Sequence, residues 1–207
     1  MTGATATPNP GPANFAGIAP GFADPGREMQ ACFRAVLDAM AHPGRIVELP
    51  CALPAPLPLG QAAAAIALSL CDIDTPVWLD TAASGAADYL AFHCGAPRAA
   101  KPTEASFAFT GDAEKLPPLD RFALGTGEYP ERGTTLMIEV AGLADRSGVM
   151  LRGPGIDGET RLAVTGLLAR FWGEREALAE LFPRGLDVIF TCGNTLAALP
   201  RSTRATL

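Results

Sequence analysis

Lysine is nearly missing from this chain. Lys101 and Lys115 are the two it has, both in loop-like sequence. A Schiff-base enzyme is hard to build from them, and no Walker A lysine motif is present. Histidine is as scarce. His42 stands at the end of a helical run, where a cation is favoured by the negative pole. His93 stands beside Cys94, but adjacent residues on a helix point apart, so we read packing or capping for both histidines. The five cysteines are scattered, odd in number and without a CxxC, which fits reduced, mostly buried thiols and a cytoplasmic setting. No GxSxG and no metal-ligand spacing occur. The longest apolar run, Ala62 to Leu70 with one serine, is too short to span a membrane. No basic stretch leads into an apolar core near the N-terminus, so no signal peptide is expected.

Positive charge is also in short supply. The formal charge is −6 and the pI near 4.9, which speaks against nonspecific nucleic-acid binding. A few clustered arginines can still serve an anionic small ligand. What is plentiful is apolar: 48% of the residues, enough for a full core in one domain of ordinary size.

Residues 1–23, rich in Ala, Gly, Pro and Thr, read as a flexible tail that Phe15, Ile18 and Phe22 can pin to a surface. A single α/β domain is expected over 24–207. Asp24-Pro25 is a helix start. Met29, Cys32, Phe33, Val36, Leu37 and Met40 then recur at helical spacing, with Arg34 and Asp38 paired on another face. Pro43-Gly44 stops this helix. Short strands are predicted at 45–49, 76–79 and 106–110, and helices at 61–70 and 86–93. Thr134–Val140 and Gly148–Arg152 read as a hairpin joined by GLADRS, and Thr160–Leu181 as a helix. DVIFT and TLAAL, separated by Gly193-Asn194, form a C-terminal hairpin whose apolar continuity suits a covered sheet. Its flanking Arg184, Arg201 and Arg204 read as solvated strand ends. Together these predict a mixed sheet of about six or seven strands flanked by helices.

Two stretches carry candidate chemistry. Asp72 and Asp74, two apart before a strand, either hold Mg²⁺ through water or cap the Thr75-Pro76 turn. Gly153-Pro154-Gly155-Ile156-Asp157-Gly158 matches GxGxxG, but it follows half of a predicted hairpin late in the chain, so dinucleotide binding is not expected. Two readings remain. Free N–H groups of 155–159 at a helix start, flanked by Arg152 and Arg161, cradle an oxyanion, or the glycines serve only a tight turn.

Six ordered motifs resemble one family. They are FRAVLDAMAHPGRI from Phe33, DIDTPVWL from Asp72, FHCGAP from Phe92, GTGEYPERGTTLMIEV from Gly125, LRGPGI from Leu151 and FPRGLDVIFTCGNTLAALPRST from Phe182. In this order they resemble the H subunits of the carbon–phosphorus lyase system (PhnH), over about Phe22 to Thr203. The resemblance implies a subunit of a complex with subunits G, I and J in phosphonate catabolism; the alternatives are a purely structural assembly subunit or a free-standing homodimeric anion-binding protein. That complex uses ATP and methylphosphonate to form ribose 1-methylphosphonate 5-triphosphate. The resemblance also implies a homodimer when alone, and a fold similar to the large domain of pyridoxal-phosphate transferases without that cofactor. No metal is implied and no catalytic residue is transferred. Pro154 departs from the pattern and removes one N–H from the turn. The ligand-binding candidates are Arg152, Gly153, Gly155, Ile156 and Arg161.

Overall fold

The fold is built on a sheet apolar on both faces. The computed structural model describes residues 17–51, 53–54 and 58–206. Six strands, β1 (Ile46–Glu48), β2 (Val77–Leu79), β3 (Phe107–Thr110), β4 (Thr135–Glu139), β7 (Asp187–Cys192) and β8 (Thr195–Leu199), run in the order β1-β8-β7-β4-β3-β2. β2, β3, β4 and β7 are parallel, whereas β8 and β1 are antiparallel additions at one side. Alternate residues of these strands feed two cores. Phe109, Met137, Ile189, Leu196 and Ala198 face the first. Ala108, Leu136, Ile138, Val188, Phe190, Ala197 and Leu199 face the second. Covering both faces is why DVIFT reads as a continuous apolar run. Each of the larger side chains among them contributes roughly 1.5–3 kcal/mol by its burial.

The first core is covered by α1 (Pro25–Ala41), α2 (Gln61–Leu70) and α3 (Ala87–Cys94). Asp24 caps α1 by accepting from the Arg27 N–H. Ala62 to Ala65 are almost wholly buried, and such small side chains let α2 lie close to the sheet. Ile18, Ala19 and Phe22 pack on this core, and His93 Nε2 lies 3.0 Å from the Ala19 carbonyl. Phe15 and the rest of the expected tail up to residue 16 lie outside the described residues.

The second core is covered by α4 (Arg170–Ala179) and by a separate sheet of β5 (Gly142–Arg152), β6 (Thr160–Thr165) and β9 (Arg204–Thr206), ordered β6-β5-β9. Here the sequence reading needs correction. Residues 134–140 and 148–152 do not pair with each other, because β4 is held between two parallel neighbours in the large sheet. GLADRS is the first half of β5, whose register shifts between Asp145 and Val149, with Arg146 at φ 63° and Gly148 at φ 81°. A bulge of this kind has the composition of a turn. Residues 160–165 are a strand, not the start of a helix. β6 pairs with β5, buries Leu162 and is broken by Gly166 at φ 85° before α4 begins.

Helix α1 also differs from its expected pattern. Cys32, Val36 and Ala39 are buried, whereas Met29, Phe33 and Leu37 are 38%, 49% and 56% exposed. The apolar spacing therefore holds two stripes, of which only one faces the core. Asp38 binds Arg45 at 3.2 Å and His42 at 3.0 Å, rather than Arg34.

Candidate functional site

The glycine turn 153–158 joins β5 to β6 and packs between two structures distant in sequence. On one side is the C-terminal end of α1. A Cβ on Gly155 would stand 2.1 Å from the Ala41 carbonyl oxygen, and Gly155 has φ 83°. Only glycine fits this close approach. On the other side is the turn Pro200–Thr203, closed by the Thr203 N–H to the Pro200 carbonyl at 2.9 Å. A Cβ on Gly153 would come 3.0 Å from the Ser202 carbonyl.

A cavity of about 500 Å³ opens beside the α1 end, lined among others by His42, Arg45, Asp145, Gly155, Ile156, Asp157 and Glu159. The helix pole here is the negative one. His42 caps α1, with its N–H donating to the Asp38 carbonyl. Of the predicted ligand residues, Gly155 and Ile156 line this cavity. Arg152 donates to Glu159 at 2.9 Å, and Arg161 donates to the Gly148 carbonyl at 3.1 Å. The Ile156 N–H is used by the Gly153 carbonyl. The expected helix N-terminus is absent, because Thr160 begins β6. No helix dipole therefore supports an anion at this turn.

Across the turn lies a second cleft of about 310 Å³, lined by Pro154, Ala179, Phe182, Arg201, Ser202 and Arg204. Arg201 is no solvated strand end. It is only 15% exposed, binds Asp187 at 2.6 Å, and also donates to the Pro130 carbonyl. Arg204 binds Glu176 at 2.9 Å and Glu180 at 2.7 Å. The hydrogen bond that Arg204 donates to Glu180 is the main cause that holds its guanidinium above the ordinary arginine range. Arg184 is exposed, as expected.

Sequence reasoning missed Arg175. It lies within α4 yet is 1% exposed. Burial pulls its guanidinium below the ordinary range, and Asp187 and Glu176 pull the other way. Among the described residues its one hydrogen bond runs from Nη2 to the Pro200 carbonyl, and Nε has no partner. The RFWGERE stretch held the only signal, a charged position within an aromatic turn.

The remaining candidates are structural. The Asp72 carboxylate accepts from the Asp74 N–H at 2.9 Å and from Thr75 Oγ1 at 3.0 Å, the turn-capping alternative. Among the described residues no group of three or more His, Cys, Asp or Glu is arranged to hold a metal ion. His93 packs against Tyr89 and Phe92, while the Cys94 thiol points to the Ala67 carbonyl. Burial pushes that thiol up to about 11, which leaves it a weak nucleophile at neutral pH.

The fold and this region define a single-domain α/β protein with a covered mixed sheet and an arginine-rich C-terminal turn. Comparison with known proteins makes that class specific. Residues 20–206 match the family model of the bacterial phosphonate metabolism protein PhnH, and the chain belongs to this family. It is 44% identical over 185 residues to the alpha-D-ribose 1-methylphosphonate 5-triphosphate synthase subunit PhnH of Rhizobium meliloti (strain 1021), covering 88% of this chain and 92% of that protein. It is 31% identical over 179 residues to a Stutzerimonas stutzeri protein with the provisional name C-P lyase subunit protein HtxG, covering 86% of each.

Proposed function

We propose that this chain is the H subunit of a carbon–phosphorus lyase core complex and supports, with its partners, ATP-dependent formation of ribose 1-methylphosphonate 5-triphosphate. The observation that carries this is the 44% identity to a synthase subunit, which runs through nearly the whole fold. Three of the six sequence motifs support it structurally. HPGR and LRGPGI meet at the α1 end, while FPRG and LPRST meet at the arginine cleft. Subunits G, I and J are the partners this reading assigns, and the cytoplasm is its compartment. No helix among the described residues is long and apolar enough to cross a membrane.

Within this reading the fold is a relative of the pyridoxal-phosphate transferase large domain that binds no such cofactor. Assembly uses the exposed stripe Met29, Phe33 and Leu37 on α1, as a homodimer alone and as a partner contact in the complex. Large apolar side chains aligned on a solvent face are what such an interface requires. The test is genetic. A bacterium deleted for its own H subunit should regain growth on methylphosphonate as sole phosphorus source when given this chain. Failure of a well-expressed, soluble chain in a host whose G, I and J subunits it binds would overturn the reading.

A further inference from the structure

The charge able to hold an anion lies across the glycine turn from the α1 end. Arg152 and Arg204 are directly opposed in the antiparallel β5–β9 pair. Their neighbours Leu151 and Ala205 point into the second core, so both arginines leave by the outer face. Like charges opposed on a sheet repel unless something negative sits between or beside them. Glu159 now offsets Arg152, and Glu176 and Glu180 offset Arg204. The Glu180 side chain is 70% exposed, so solvent screens its bond to Arg204 and exchange for another anion costs little.

Buried polar atoms point the same way. Beneath the Pro200–Thr203 turn, Arg175 Nε and Thr203 Oγ1 are both buried and both without a partner. A guanidinium at 1% exposure with no carboxylate bonded to it is a costly arrangement. It places a buried positive charge, offset by Asp187 and Glu176 without a direct bond to either, behind the turn whose Arg201 and Ser202 line the cleft.

We propose that the cleft between Pro154, Phe182 and Arg204 is an oxyanion subsite for a tetrahedral phosphorus group, phosphate or phosphonate. Arg204 reads the oxygens and the Ser202 hydroxyl adds a donor, while Arg152, opposite Arg204 in the β5–β9 pair, adds positive charge beside the cleft. Arg201, fixed by Asp187 and the Pro130 carbonyl, is a positioning residue that holds the turn. Arg175 supplies the buried field. Binding exchanges Glu180 for the ligand on Arg204. At about 310 Å³ the cleft takes the charged group and a small body against Phe182. The choice of methylphosphonate as a probe rests on the functional reading above, whereas the site itself does not.

The full chain at low ionic strength would be titrated with inorganic phosphate, methylphosphonate and acetate, followed by NMR. Both phosphorus probes should saturate with shifts at Ser202, Thr203 and Arg204, and acetate should bind more weakly. Arg204→Gln should weaken phosphate about tenfold, the loss of one charge-assisted bond. Glu180→Gln should tighten it by roughly the worth of one exposed ion pair, up to about fivefold. Arg175→Met, which keeps the side chain's bulk, should weaken binding in a folded protein. The two surface variants decide the matter should it unfold. No saturable shift, or equal affinity in wild type and Arg204→Gln, overturns the subsite. A chain that restores growth on methylphosphonate but shows no saturation refutes the subsite and leaves the functional reading standing. One that saturates but never restores growth supports the subsite and counts against that reading.

Discussion

Glu139 and Thr191 face each other across the β4–β7 pair, with Thr191 Oγ1 donating to Glu139 Oε2 at 2.6 Å. The carboxylate fills the space beside Gly60, where a Cβ would stand 2.5 Å from Oε1. Burial pushes the Glu139 carboxyl above its ordinary 4.5, and the hydrogen bonds from Thr191 and the Gly193 N–H only partly oppose this.

A pH dependence follows. An acid whose pKa rises on folding binds more protons in the native state, so its contribution to stability falls as pH rises. The window opens near 4.5 and closes above the raised value. Glu139→Gln removes this slope and keeps the Thr191 contact. In urea unfolding, the variant should gain on the wild type between pH 4 and pH 8. The gain should be modest, since the carboxyl keeps partial contact with water. A variant that instead loses ground between those pH values would show that the carboxylate is stabilised by its surroundings.

The glycine turn gives a steric prediction. Gly155→Val places a Cβ within the Ala41 carbonyl and a β-branched residue at φ 83°. It should cost about 2–4 kcal/mol, seen as a lowered Tm. Gly158→Ala is the control, since φ is 72° there and no atom lies within 4 Å. It should cost only about 1–2 kcal/mol, the price of the left-handed conformation. Equal losses would mean that the α1 contact is loose.

Much of this architecture was legible from local pattern. The β7–β8 hairpin with its Gly193-Asn194 turn, the stop of α1 and the span of α2 are each set by residues within a few positions. The misread segments were those decided at long range. β6 carries apolar residues at spacings that fit a helix, and its pairing with β5 settles the choice. β4 and β5 look like hairpin halves until each finds its own sheet. The candidate site was half visible. The glycine turn and Arg152 are in the sequence, but Arg204 comes opposite Arg152 only through β9. Arg175 reads as an ordinary helical arginine until tertiary packing covers it.

The Arg201–Asp187 pair should be a measurable element of that turn. Both side chains are under a fifth exposed, at 15% and 17%, and the Asp187 carboxylate also accepts the Arg201 backbone N–H at 2.8 Å. Arg201→Met should destabilise by about 3 kcal/mol, because it leaves a largely buried carboxylate without its counter-charge. Asp187→Asn in the same background should recover part of the loss. A double variant as unstable as the sum of the two singles would show no coupling.

Cofactor chemistry can be tested directly. Lys101 is exposed, and Lys115 is 82% exposed and bound to Asp112 at 2.7 Å. Neither offers the enclosed setting that an internal aldimine needs. Treatment with pyridoxal phosphate and borohydride should leave no stoichiometric adduct at a unique lysine in the peptide map. One fully modified peptide would refute this.

The central claim is that the chain works as a required subunit of a larger synthase. Purified G, I and J subunits, ATP and methylphosphonate would be combined with and without this chain, and ribose 1-methylphosphonate 5-triphosphate followed by phosphorus NMR. Product is expected only when the chain is present, and none from the chain alone. Product at an undiminished rate in its absence would contradict that claim.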